Sequence, residues 1–237
     1  MRLSKSRILC FRQCPFKYKV DYIDKLPQKK PIALIKGIDV HDGLEAFYKP
    51  DSNEVEVLIN TFKEKPIYTK YSKIFDNFFE FNRRMSYDGT NIDKPLYVEQ
   101  KLTDTELNII GIVDVVINDG ENILMLDYKT GKAYTEYDLD GNFEKMDSKF
   151  KFELAMYTYL FEKNMPEKVT HWGIYFVEQD KVFVEPVEEF EIKVMKKEVE
   201  KVRQKIQNCI DTKHWDKKPN WLCKWCGAKQ NGYCDGQ

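Results

Sequence analysis

The apolar positions of this chain change period along its length. Residues 4–13 predict a short helix that opens at Ser4 or Ser6, where a hydroxyl can cap free N–H groups, and closes before Cys14-Pro15. Over 32–48 the apolar groups recur at helical spacing, with Gly37 permitting a close packing approach. Residues 67–85 predict an aromatic-rich helix through Tyr71, Ile74, Phe75, Phe78 and Phe79. The period then shortens: 96–102, 107–117 and 122–129 read as three strands broken by polar turns. A polar loop, 132–149, carries Tyr134, Asp138, Asp140, Gly141 and Asp147. Residues 150–164 return to helix, 171–178 and 181–187 pair around Gln179-Asp180, and 190–210 form a long charged helix before a Trp- and Cys-rich end. That order predicts an α/β sheet domain rather than a bundle or sandwich.

The 237 residues suit one globular domain, or one with a small appendage. With 14% aromatics and only 11 Gly and 9 Pro, the composition excludes collagenous and disordered chains. No apolar run approaches the roughly 20 residues needed to cross a bilayer, so no membrane partner is expected. MRLSKSRILCFRQC shows no secretory pattern. The expected location is cytoplasmic, where the 6 Cys stay reduced and serve as ligands or core thiols.

The net charge of −1 hides an asymmetry. Residues 1–36 carry a net +8, residues 193–224 a net +6 and the stretch 37–192 a net −15. Basic ends can hold a polyanion and an acidic middle a cation. Two solvated, Lys-rich helices on an acidic domain account for the same numbers.

The sharpest local feature is Gly111-Ile112-Val113-Asp114 followed by Leu126-Asp127-Tyr128-Lys129. With Asp119-Gly120 as a two-residue turn, Asn118 pairs with Glu121 and Asp114 faces Met125, leaving Asp127 diagonal to Asp114. Period-two alternation puts Asp127 and Lys129 on that same face. Two carboxylates and an ammonium so arranged predict a site for Mg²⁺ or Mn²⁺. A surface Asp127–Lys129 ion pair is the plain alternative, worth about 0–1 kcal/mol, but LMLDYK drives the charges straight out of an apolar strand. His41, within a predicted helix, and Glu99, on the preceding strand, are further candidates.

Cys223-Lys224-Trp225-Cys226 and Cys234 make a CxxC-x7-C cluster, one thiolate short of a closed four-thiolate site. Cys10 and Cys14 are N-terminal donors, and Cys209 and His214 lie nearer. Spacing does not separate zinc from an iron–sulfur cluster. Phe11, Phe16, Tyr18, Tyr22 and Trp225, interleaved with Lys and Arg, are candidates either for stacking on bases or for core packing.

Taken in order, Cys14-Pro15 with Tyr18, Gly37…His41, Gly111-x-x-Asp114, Asp127-Tyr128-Lys129-Thr130-Gly131, a helix with Tyr157, and CxxC…C resemble the RecB-like branch of the PD-(D/E)XK nuclease superfamily. Within it, the likeness is to the iron–sulfur exonucleases of the CRISPR-associated Cas-four type and the AddB nuclease domain. The resemblance implies a restriction-endonuclease-like α/β fold, with a mixed central sheet flanked by helices and an iron–sulfur subdomain formed by both termini. Residues 32–192 would form the nuclease core, and 1–31 with 193–237 the cluster-binding, DNA-contacting part. It implies that His41, Asp114, Asp127 and the Tyr128 carbonyl hold Mg²⁺ or Mn²⁺, with Glu99 a further ligand. Lys129 would orient or deprotonate water, Glu153 and Tyr157 would contact substrate, and Cys14, Cys223, Cys226 and Cys234 would hold a 4Fe-4S cluster, zinc being the alternative. The implied activity is a metal-dependent DNA exonuclease acting on single-stranded ends, with an endonuclease side activity. Its setting would be recombination or repair, phage DNA processing or CRISPR adaptation, with a helicase or CRISPR integrase as partner. Two departures stand out: Glu153 occupies the place of a Gln, and the gap between Cys226 and Cys234 is long. A non-catalytic, metal-stapled nucleic-acid-binding subunit is the alternative.

Overall fold

The computed structural model describes residues 1–28, 31–86, 92–131 and 148–235. The loop residues Tyr134, Asp138, Asp140, Gly141 and Asp147 lie outside them. Helix α1 spans Lys5–Gln13, its first turn capped by the Ser4 hydroxyl, which accepts from the Arg7 N–H at 3.4 Å. Pro15 then fixes the start of α2, Pro15–Tyr18, which runs on into a π-helical turn, Lys19–Ile23. Helix α3, Ile32–Phe47, follows.

Helix α4, Val55–Lys63, was not expected. Its stripe of Val55, Leu58, Ile59 and Phe62 is fully buried, at the spacing of one helix face. The single helix expected over 67–85 is two, α5 (Pro66–Lys70) and α6 (Ser72–Met85), separated at Tyr71. Tyr71 leaves helical geometry and donates its phenol to Asp39.

Five strands form one mixed sheet in sequence order: β1 Tyr97–Asp104, β2 Ile109–Asn118, β3 Ile123–Lys129, β4 His171–Phe176 and β5 Lys181–Pro186. Neighbours are antiparallel except β3 and β4, which are parallel. A parallel pair needs a crossover, and α7, Ser148–Asn164, is the helix of that connection. Helix α8, Glu189–Thr212, packs beside α7. A 3₁₀ turn, Trp221–Trp225, and α9, Gly227–Gln230, complete the chain.

The β2–β3 hairpin corrects the predicted register. Asn118 pairs with Ile123 and Val116 with Met125, so the loop has four residues, not two. Asp119 explains the longer turn: its Oδ1 accepts from the N–H groups of Glu121 (3.1 Å) and Asn122 (2.7 Å). The shift is by two residues, so the β3 side chains, Asp127 and Lys129 among them, keep their predicted face.

Each sheet face carries an apolar layer. Helices α1, α7 and α8 cover Leu102, Val113, Met125, Trp172 and Ile174, while α3, α4 and α6 cover Val115, Leu126, Tyr128 and Tyr175. Close approach falls at Gly43 rather than Gly37. A β-carbon on Gly43 would sit 2.5 Å from the Phe75 ring, whereas one on Gly37 would meet only Thr130 Oγ1, at 3.6 Å. Phe11 and Tyr18 are core residues, so they are not exposed stacking platforms; Trp225 is exposed. No described helix is long and apolar enough to cross a membrane.

Candidate active site

Strands β1, β2 and β3 carry one acidic row. The β1–β2 register places Glu99 across from Asp114, and the β2–β3 register, carried one step on, places Asp127 across from Asp114. At this row the regular pairing lapses. Glu99 takes a left-handed backbone (φ 48°), a conformation that costs a non-glycine residue about 1–2 kcal/mol. The alternation slips there too: Val98 and Val115 pack in one layer, but Val113 and Leu102 in the other. Asp114 instead accepts the Tyr128 N–H on Oδ2 at 2.7 Å.

His41 reaches this row from α3. Its Nε2 lies 3.0 Å from the Tyr128 carbonyl, and its Nδ1 is 3.5 Å from Glu99 Oε1 and 3.6 Å from Asp114 Oδ1. One ligand atom from each of His41, Glu99 and Asp114 lies within 4.8 Å of the others. Asp127 stands beside this trio, not in it, with Oδ2 against the Lys129 ammonium.

Behind Asp127 lies a second charged chain. Lys129 Nζ is 3.0 Å from Glu153 Oε1, on α7, and Lys5, on α1, contacts the same oxygen. The Tyr157 hydroxyl donates to it at 3.4 Å. Glu153 is thus buried between two ammonium groups. Sequence reasoning did not single out Lys5. The available signal was indirect: a glutamate in a buried place needs a second cation near it.

Burial and like charge set the protonation of the site's own groups. Burial pulls the His41 imidazole down, but the Glu99 contact and the Asp114 and Asp127 charges outweigh it, raising the pKa to about 9. Asp127 is pushed up to about 8 by burial and the nearby Glu153 charge, against the pull of Lys129. Burial likewise raises Asp114. Burial opposes the charge on Lys129, yet Asp127 and Glu153 hold its proton more tightly than usual. Burial would also raise Glu153, but Lys129 and Lys5 keep it below the usual range. A group of acids that holds surplus protons is one that a divalent cation would relieve. Two carboxylates and an imidazole are donors suited to Mg²⁺ or Mn²⁺.

Cys14, Cys223, Cys226 and Cys234 line one pocket between the N-terminal helices and the C-terminal turns. Among the described residues, no three of these sulfurs lie within 4.8 Å of one another. Cys10 is elsewhere, buried against Lys17 Nζ (3.5 Å) and Asp21 Oδ2 (3.7 Å).

A family model described as the PD-(D/E)XK nuclease superfamily matches residues 2–231. Among solved structures, a candidate exonuclease from Eubacterium rectale superposes with a TM-score of 0.59 at 14% identity, over 98% of this chain and 88% of that one. A structure described as SSO0001 gives a TM-score of 0.37 at 12% identity, over 97% and 84% of the two chains. The first likeness concerns the fold; the second carries no argument. No curated protein matches the sequence.

Proposed function

This chain belongs to the PD-(D/E)XK nuclease superfamily, and on that premise we propose that it is a Mg²⁺- or Mn²⁺-dependent deoxyribonuclease acting as an exonuclease on single-stranded ends. The observation that carries the reading is the convergence of His41, Glu99 and Asp114 next to Asp127 and Lys129. His41, Glu99 and Asp114 would hold the cation, with Asp127 beside them as a further ligand. A bound divalent ion supplies Lewis-acid polarisation of a phosphodiester and lowers the pKa of water.

The chain's own groups do the rest. The Tyr128 carbonyl fixes one ring nitrogen of His41, which leaves the other aimed at the carboxylates. The Tyr128 N–H holds Asp114 in place. Lys129, its proton held by neighbouring acids, acts as a cation rather than a base: it orients the attacking water and stabilises charge on the phosphoryl oxygens. In-line attack with loss of the 3′ oxygen leaves a 5′-phosphate. Glu153 and Lys5 set where the Lys129 ammonium stands.

For the cysteine pocket we favour a 4Fe-4S cluster on Cys14, Cys223, Cys226 and Cys234. The four thiols that line one pocket are the donor set that such a cluster takes, and a closed four-thiolate zinc site is the alternative on the same residues.

Digestion of 5′- and 3′-labelled single strands with Mg²⁺ or Mn²⁺ tests the nuclease reading. Wild type should release mononucleotides or short products, and Asp127→Ala should abolish cleavage while leaving strand binding largely intact. Unchanged cleavage by Asp127→Ala would remove the mechanism.

A further inference from the structure

A second polar feature lies along α1, the helix that sends Lys5 to the site. Between α1 and α8 runs a cleft of about 620 Å³, with Arg12, Lys201, Lys205 and Lys218 on its walls and the buried Phe11 and Val202 among its lining. The acids that line it are both engaged: Glu198 faces Arg12 at 3.5 Å, and Asp216 faces His214 at 2.9 Å. Lys201 and Lys205 are exposed and make no ion pair among the described residues. They stand four residues apart on α8, hence on one face with β-carbons about 5–6 Å apart.

Two elements, α1 and α7, link the cleft to the site. Arg12 stacks its guanidinium over Phe152, at 5.6 Å from the ring centre, and the next residue of α7 is Glu153. Seven residues back along α1, a rise of about 10 Å, Lys5 contacts Glu153 itself. A row of cations therefore extends from the Lys129 ammonium, past Lys5 and Arg12, into the cleft.

We propose that this cleft receives the sugar–phosphate backbone of the substrate strand on one side of the scissile bond. The inference rests on the nuclease reading and deepens it. Two unpaired lysines side by side on one helix face suit neighbouring phosphates of one strand, and a volume near that of a small-ligand cleft, about 300–1,000 Å³, admits a few nucleotides of one strand but not a duplex. The lining aromatic, Phe11, is buried, so bases have no stacking platform there and recognition is through the backbone. Binding in this cleft is therefore independent of base sequence and strongly dependent on salt.

The test measures binding of a 20-nucleotide oligothymidylate to the full chain, in an Asp127→Ala background that keeps the strand whole, as a function of salt. Each phosphate neutralised on a single strand contributes about 0.7 to the slope of log K against log salt. Lys201→Gln with Lys205→Gln should lower the slope by about 1.4 and weaken binding on the order of 25-fold at 0.1 M salt. Lys201→Arg with Lys205→Arg should restore both. Removing two exposed charges elsewhere, Lys73→Gln with Lys101→Gln, should leave the slope unchanged. The proposal fails if the Gln pair binds like its parent, or if the distant pair lowers the slope as much. Cleavage by the wild-type chain, measured in parallel, separates the two readings. Cleavage together with an unaltered slope in the Gln pair sinks the cleft alone; neither cleavage nor binding sinks both.

Discussion

Lys5 and Glu153, 148 positions apart in the chain, share one buried contact, and the oxygen that takes Lys5 also takes Lys129 at 3.0 Å. Glu153 therefore divides its attraction between an ammonium on α1 and the ammonium of the site. Without Lys5, the carboxylate would draw Lys129 away from Asp127.

This sharing predicts a pattern of variants. Lys5→Met should lower cleavage about 10-fold or more, and Glu153→Gln much less, because a neutral amide needs no second cation. The pair Lys5→Met with Glu153→Gln should recover most of the loss, an interaction that a double-mutant cycle on kcat reads directly. A double variant as weak as Lys5→Met alone would show that Lys5 acts in some other way.

The protons held by His41 and Asp127 set a pH dependence. His41 titrates near 9 in the folded chain, above the ordinary 6.5, and Asp127 near 8, above the ordinary 3.8. In both cases the folded state binds more protons than the unfolded one, so stability falls as pH rises, from about 4 to 8 for Asp127 and from 6.5 to about 9 for His41. Thermal melts in chelator should show Tm dropping across that window. Added Mn²⁺ should raise Tm more at pH 8.5 than at pH 6, since binding must displace these protons. A Tm in chelator that rises over the same range would contradict the electrostatics.

The cysteine pocket predicts a division among the thiols. Anaerobically purified wild type should carry iron and sulfide, and Cys14→Ala or Cys226→Ala should lose both along with several degrees of Tm. Cys10→Ala should keep its iron, because Cys10 is packed against Lys17 and Asp21 away from the pocket. Burial also pushes the Cys10 thiol up to about 12, so it should resist alkylation in the folded chain. Zinc in place of iron, at one equivalent, would overturn the cluster assignment.

Gly111 predicts a packing effect that reaches the site. A β-carbon there would lie 2.9 Å from Leu160 Cδ1 and from the Tyr157 ring, both on α7. Gly111→Ala should cost about 1–3 kcal/mol by overpacking and lower activity beyond that loss, since α7 also carries Glu153. Denaturant melts and a kcat measurement check the two parts separately.

Much of this was legible locally. The existence of the five strands, the helices read over 32–48 and 190–210, and the shared face of Asp127 and Lys129 in LMLDYK follow from short-range periodicity. Helix α4 was legible in its apolar stripe but hidden by its brevity and charged flanks. The hairpin was misread because Asp119 could nucleate either a two-residue or a four-residue turn, and only its side-chain hydrogen bonds distinguish them.

The sequence by itself determined which residue types the site could draw on and which face of each strand would present Asp127 and Lys129, because side-chain alternation is a property of the local backbone. The tertiary structure alone decided the company they keep: Glu99 drawn into line by its left-handed backbone, His41 brought down from α3, and Lys5 brought across from α1. No local pattern encodes those meetings. They follow from how two layers of helices close over a sheet whose regular pairing lapses at one row of acids.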